Sequence, residues 1–293
     1  MQAASPLVSL IMSLFSVLLP TKMWFGPSQP ITIRVDAKTP TSLVLTKFDG
    51  TAIATKDAPS GDATVDLRTL YPDLNAVGTY VLFAVPKGKT VDQFVGTPIV
   101  IEVLADKAQA NAEVVKIKPL QYEVMTTAEG AMTMTFYYDV APNTVDSFLR
   151  LSGEGYYDGL TFHRILPGFV IQGGDPKGDG TGGPGYSVNA EFNPQPHKEG
   201  VLSMARSQDP NSAGSQFFVC LSYDKTQQLD NQYTTFGKVV DGMKAVEKIA
   251  ATPLKDKDAG TPVNPPVIDK AEVFPVTPGH NPYAAMGLGA PAK

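Results

Sequence analysis

At 293 residues the chain is long enough for two domains, and 43% hydrophobic with 18% charged residues excludes disorder throughout. A formal net charge of −5 without a Lys/Arg cluster argues against nucleic acid as a partner. The lone cysteine, Cys220, sits in an apolar run, reads as a small buried hydrophobe and excludes an intrachain disulfide, while His163, His197 and His280 are too scattered for a metal site.

Residues 1–23 form an apolar opening segment. From Pro6 to Leu19 it carries no charge, which suits a signal-peptide core or a short anchor, although it is shorter than the ~20 residues of a comfortable span. No Lys or Arg precedes it and no small-x-small cleavage site follows, so a mis-called start or a helix packed on a partner is the competing reading. The expectation is an exported or membrane-anchored protein of the periplasm or cell envelope, attached through residues 6–19.

Residues 24–104 read as a small β-sandwich. Ile31 to Val35 alternates cleanly, Ser42 to Phe48 leads into the hairpin signal Asp49-Gly50, and Ala63 to Leu67, Tyr80 to Val85 and Pro98 to Val103 add strand-like runs. Its aspartates are scattered near turns and form no catalytic set. Residues 105–118 have helix-forming composition with little apolar face, and predict a part-helical linker. A second domain follows over 119–275, opening with strands at Gln121 to Met125 and Met132 to Tyr138. Pro142-Asn143-Thr144 then starts a helix that turns Val145, Phe148, Leu149 and Leu151 inward. Residues 276–293 are rich in Pro, Gly and Ala and predict a disordered tail.

Within the second domain, residues 161–175 read Thr-Phe-His-Arg-Ile-Leu-Pro-Gly-Phe-Val-Ile-Gln-Gly-Gly-Asp, a strand-turn-strand signal. Period-2 alternation puts Phe162, Arg164 and Leu166 on one face and His163 and Ile165 on the other. Arginine is rare on an apolar strand face. Arg164 therefore either pairs with a carboxylate such as Asp175 or faces a cleft where a ligand carbonyl meets it. Gln216 and Phe218 share a face of another strand, which leaves Phe217 and Val219 for the core.

These residues, with Leu202-Ser203-Met204-Ala205, Gly214-Ser215-Gln216-Phe217-Phe218 and Phe236-Gly237-Lys238-Val239, resemble the signature of the cyclophilins, peptidyl-prolyl isomerases that bind cyclosporin. The likeness runs from Leu120 to Phe274. It implies a mainly β fold: an eight-stranded barrel capped by two helices, the second from Gly242 to Ala250, here preceded by the sandwich. It implies cis-trans isomerisation of X-Pro bonds in unfolded or extended polypeptides, assistance to protein folding, and no cofactor. By resemblance Arg164 is the main catalytic residue, and Phe169, Val170, Phe218 and Leu229 line the proline pocket. Gln172 and Gln216 hold Arg164 and the peptide backbone, Ala205 offers main-chain groups and His163 closes one wall. Phe169 and Gln172, three apart, cannot share a face of a flat strand, so this carry-over requires a bulge or a Phe169 still in the turn.

Three positions depart from well-known eukaryotic members. Tyr233 stands in place of a histidine, as is common in bacterial members, and its ring can still wall the proline. Gln228 replaces a tryptophan that contacts cyclosporin, so weak or absent drug binding is expected. Arg206 replaces an asparagine and adds charge beside the groove. Other signals are weaker: Gly178 to Gly183 fits a dinucleotide fingerprint, but Pro184 follows and no helix opens, and Ser215 lacks the second glycine of a nucleophile elbow. A scaffold that kept the fold while the sandwich does the work is the alternative from another class; it has no need of the whole Arg164, Phe169, Gln172, Gln216, Phe218 and Leu229 set.

Overall fold

The computed structural model describes residues 17–26, 29–106 and 112–290. Most of the apolar run 6–19 lies outside the described residues. Among them no helix is long and apolar enough to cross a membrane. The chain divides into two units, residues 1–121 with 275–293, and residues 122–274.

The first unit contains β1 (Leu18–Pro20), β2 (Trp24–Phe25), β3 (Thr32–Ala37), β4 (Thr41–Lys47), β5 (Ala52–Asp57), β6 (Gly61–Asp66), β7 (Gly78–Pro86), β8 (Val95–Asp106) and β9 (Ala112–Pro119). Three strands, β1-β3-β6, make one sheet, and β2-β9-β8-β7-β4-β5 make the other. Leu18, Ile33 and Val35 of the first sheet share one core with Leu43, Leu45, Leu82, Ile99 and Ile101 of the second, the arrangement of a β-sandwich. The aspartates do serve turns and surface: Asp49 accepts the Thr51 N–H in the β4–β5 hairpin, and Asp62 pairs with Arg34.

Two expectations for this part are corrected. The stretch 105–118, read as a part-helical linker, ends in strand β9, which pairs with β8 from Ile99↔Pro119 to Asp106↔Ala112. Its Val115 and Ile117 alternate into the core, and that period of two outweighs the helix-forming composition around it. The tail from Pro275 is not disordered through residue 290. Val276, Tyr283 and Leu288 are fully buried, and Asn281 clasps the segment by accepting the Tyr283 N–H and donating to Leu288 O. Three apolar anchors offset the ordering entropy of a segment whose composition suggested none.

The second unit contains β10 (Gln121–Thr127), β11 (Gly130–Phe136), β12 (Arg164–Leu166), β13 (Val170–Gly173), β14 (Val201–Met204), β15 (Phe217–Cys220), β16 (Thr235–Asp241), β17 (Leu254–Asp256), β18 (Thr261–Pro262) and β19 (Ile268–Pro275). Eight of them form one curled sheet in the order β12-β13-β15-β14-β16-β11-β10-β19. Two helices of eight residues or more accompany it, α1 (Pro142–Gly153) and α2 (Met243–Ala250). In α1, Val145, Phe148, Leu149 and Leu151 are buried, and the Glu191 carboxylate accepts the Asn143 and Thr144 N–H groups at its N-terminus. Gly242 precedes α2 with φ of 89°, a left-handed conformation that favours glycine. The interior is aromatic: Phe148 packs on Phe136, Tyr157, Phe217 and Phe236 at centroid distances of 4.9–5.8 Å.

Candidate active site

Strand register sorts the residues of β12, β13, β15 and β14 onto two faces. Ile165 pairs with Ile171, Ile171 with Val219, and Val219 with Leu202. All four are fully buried and belong to the interior side. On the opposite side, Arg164 pairs with Gln172, Gln172 with Phe218, and Phe218 with Ser203. Two residues further along on the same face, Leu166 pairs with Val170 and Val170 with Cys220. A polar row therefore runs beside an apolar row on the face turned away from the barrel interior.

The apolar row is part of a second cluster, separate from the sandwich core. Val170, Val201, Phe218 and Cys220 are its buried members, and Phe169, Ala205, Leu229 and Tyr233 pack on it half-buried. Phe218 meets Tyr233 edge to face, with centroids 5.9 Å apart. This cluster, the cup, sets aromatic rings about smaller apolar side chains, a polarity suited to a five-membered ring.

Beside the cup runs a chain of charge-neutral amides ending on the guanidinium. Arg164 Nη1 donates to Gln172 Oε1 at 3.2 Å, and Gln172 Nε2 donates to Gln216 Oε1 at 3.0 Å. Gln216 Nε2 then donates to Gly180 O and Gly182 O, at 3.0 and 2.9 Å, on the glycine-rich loop. Only one Arg164 N–H is used among the described residues, so the rest of the fork remains available to a ligand carbonyl. The carboxylate of Asp175 does not compete for it. Its oxygens accept the Lys177, Asp179 and Gly180 N–H groups.

Two placements refine the alternation. Phe169 lies in the turn before β13, its N–H donating to Leu166 O, and this is how it joins the same cup as Val170 without a bulge. Phe162 is fully buried against Phe217 rather than sharing the face of Arg164, because β12 starts only at Arg164 and the period of two does not extend back to it.

Residues 122–273 match the family described as cyclophilin type peptidyl-prolyl cis-trans isomerase/CLD. The chain belongs to the cyclophilin-type isomerases. A peptidyl-prolyl cis-trans isomerase of Synechococcus elongatus is 49% identical over 118 residues, 40% of this chain and 79% of that relative. Peptidyl-prolyl cis-trans isomerase B of Bacillus subtilis is 47% identical over 116 residues, 39% of this chain and 79% of the relative. A solved Cryptosporidium parvum cyclophilin type isomerase superposes with a TM-score of 0.50 at 33% identity, over 53% of this chain and 98% of that one. The cyclophilin unit is thus a peptidyl-prolyl cis-trans isomerase, and its substrates are proline-containing peptides.

Not every expected site residue of this cyclophilin joins the cup. His163 is 8% exposed, is not part of the apolar cluster, and neither ring nitrogen has a hydrogen-bond partner among the described residues. Burial, opposed by the charge of Asp175, holds its imidazole below the usual histidine range. Ala205 packs on the cup, but its N–H is already given to Gln216 O at 2.9 Å. Arg206 is fastened rather than free. Its Nε and Nη2 donate to Gln232 O, its Nη1 donates to Ser207 O and Gln208 O, and its guanidinium lies 4.6 Å from the Tyr233 ring centroid. It braces that wall by a cation–π contact.

The cup residues Val201 and Cys220 were not singled out as site residues by sequence reasoning. Cys220 is two beyond Phe218, the spacing that already paired Gln216 with Phe218, so the same rule reaches it. Burial pushes its thiol up to about 12, which suits an apolar cup and not a nucleophile. Val201 carries no comparable sequence signal, because its face is decided by pairing with β15 and β16.

Proposed function

We propose that Arg164 is the catalytic residue and that Phe169, Val170, Phe218, Leu229 and Tyr233 form the proline-binding cup. Rotation about an X-Pro bond is slow because amide resonance opposes it with a barrier of about 18–20 kcal/mol. No covalent bond is made or broken, so what is needed is preferential binding of the half-rotated, pyramidal imide. Each ~1.4 kcal/mol of that preference gives a tenfold rate.

The cup immobilises the pyrrolidine ring while the carbonyl side of the bond swings. A free Arg164 N–H satisfies the carbonyl and stabilises the nitrogen lone pair that resonance has released. Gln172 fixes the guanidinium from behind, and Gln216 holds the peptide backbone. The observation that carries this reading is the single face on which a tethered guanidinium borders an apolar cup. Arg164→Ala is expected to lower kcat/KM for cis-trans exchange in a short X-Pro peptide by about 10²–10³-fold, with the thermal transition preserved. Equal, background-level exchange in wild type and variant would leave only the scaffold reading.

The isomerase assists folding of exported or envelope proteins, where ATP is absent and slow X-Pro steps delay folding by tens of seconds or more. The uncharged run 6–19 supports this location. Cyclosporin binds weakly or not at all, because Gln228 stands in place of the tryptophan expected to contact it.

A further inference from the structure

Behind the aromatic wall lies a buried polar chain that the isomerisation chemistry does not use. His197 is fully buried. Its Nδ1 is 2.8 Å from Asp230 Oδ1, its Nε2 is 3.1 Å from Ser203 Oγ, and the Ser203 hydroxyl donates to Thr234 O at 3.0 Å. Asp230 also accepts the His197 main-chain N–H at 2.8 Å and the Tyr223 hydroxyl at 2.9 Å. The connectivity resembles a nucleophilic triad, but Ser203 is fully buried and gives its proton to a main-chain carbonyl. No acyl substrate reaches it.

What this chain does touch is the cup. The His197 ring stacks on Phe218, with centroids 6.1 Å apart and planes inclined by 16°, and meets Tyr233 edge-on at 6.5 Å. Asp230 directly follows Leu229, so the segment carrying Leu229 and Tyr233 is tied to β14 through His197 and Ser203. We propose that His197 and Asp230 are positioning residues that set Phe218, Leu229 and Tyr233 as walls of the proline cup, and that a proton on His197 tightens the arrangement. This rests on the cup assigned above.

The count of protons gives the sign. Three links, Asp230 to Nδ1, Nε2 to Ser203 and Ser203 to Thr234 O, need three protons. A neutral imidazole brings one and the serine hydroxyl one; an imidazolium brings two. Near pH 7 the ring is neutral, since burial lowers its pKa more than Asp230 raises it, and one link is then unfilled. Below the usual histidine range the third proton enters and the chain is complete. The other titratable groups facing the ring keep their charge between pH 5 and 8. Burial pushes the Asp230 carboxyl up, yet hydrogen bonds from His197 and Tyr223 hold it below its ordinary value. The hydrogen bond to Asp230 raises the Tyr223 hydroxyl, and Cys220 is pushed up to about 12.

The test is KM and kcat for exchange in a short X-Pro peptide from pH 5 to 8, on the full chain, with thermal transitions recorded in parallel. In the wild type KM is expected to fall about threefold or more on acidification while kcat changes less. Asp230→Asn moves that step to lower pH, because a neutral amide no longer favours the imidazolium. His197→Gln abolishes the step and raises KM at acidic pH, whereas His163→Gln retains it. A wild-type KM that stays flat across the range, or a step lost in His163→Gln and kept in His197→Gln, overturns the proposal. If His197→Gln does not fold, the Asp230→Asn shift decides the matter: a step that does not move overturns it. The Arg164 assignment fails separately, through an unchanged kcat in Arg164→Ala at every pH.

Discussion

Asp175 accepts three main-chain N–H groups from its own loop, and that satisfaction keeps it from neutralising Arg164. The guanidinium is held instead by the neutral amide of Gln172, a partner that orients it without quenching its charge. Gly174 makes the adjoining backbone approach possible: its φ is 83°, and a Cβ there would overlap the Ser215 carbonyl oxygen. At the same scale, Gln228 lines an open cleft of about 410 Å³ with Phe169, Asp224, Lys225 and Gln227. Filling that cleft with an indole restores a large apolar contact. Gln228→Trp is therefore expected to tighten cyclosporin inhibition about tenfold or more, a gain of ~1.4 kcal/mol, measured by titrating the drug against peptide exchange. Unchanged inhibition would count against Gln228 as a determinant of the weak binding proposed above.

At the scale of elements, strand pairing turns a one-dimensional alternation into two faces. The spacing of Gln216 and Phe218 was legible from period two alone, whereas their placement beside Gln172 required the pairing of β13 with β15. β10 carries a different consequence of pairing, a fully buried Glu123 whose oxygens have no hydrogen-bond partner among the described residues. Burial, with the nearby charge of Asp158, raises its pKa to about 8, so it is neutral in the folded unit at pH 7. In the unfolded chain it ionises near the ordinary glutamate value. The folded state thus binds the extra proton, and stability is lost as pH rises from about 4.5 through about 8. Glu123→Gln should leave the melting temperature unchanged at pH 4 and raise it at pH 8 by at least about 2–4 °C, the shift that ~1 kcal/mol makes in a protein of this size. Parallel melting curves for both proteins from pH 4 to 9 would show the carboxyl to be indifferent.

At the scale of the whole molecule, the N-terminus connects fold and location. Leu18 is buried and β1 pairs with β3, Leu18↔Val35 through Pro20↔Ile33. If export involves cleavage, a mature chain that keeps this strand begins at or before residue 17. Intact-mass measurement on protein from fractionated cells is expected to find such a terminus in the envelope or periplasmic fraction. A cytosolic protein with Met1 intact and no membrane association would count against the location, and a terminus beyond Pro20 against the retained strand. The sequence by itself determined the isomerase family, through a dense run of motifs in order, and the mainly β fold, through short alternating runs; the shared face of Gln216 and Phe218 followed from period two. Tertiary structure alone decided that 112–119 is a strand, that 276–290 is anchored by Tyr283 and Leu288, that Val201 joins the cup, and that His197 and Asp230 stand behind its aromatic wall. Those outcomes depend on which distant segment supplies the other half of a strand pair or a buried contact, and burial is a property of neighbours that no single stretch of chain contains.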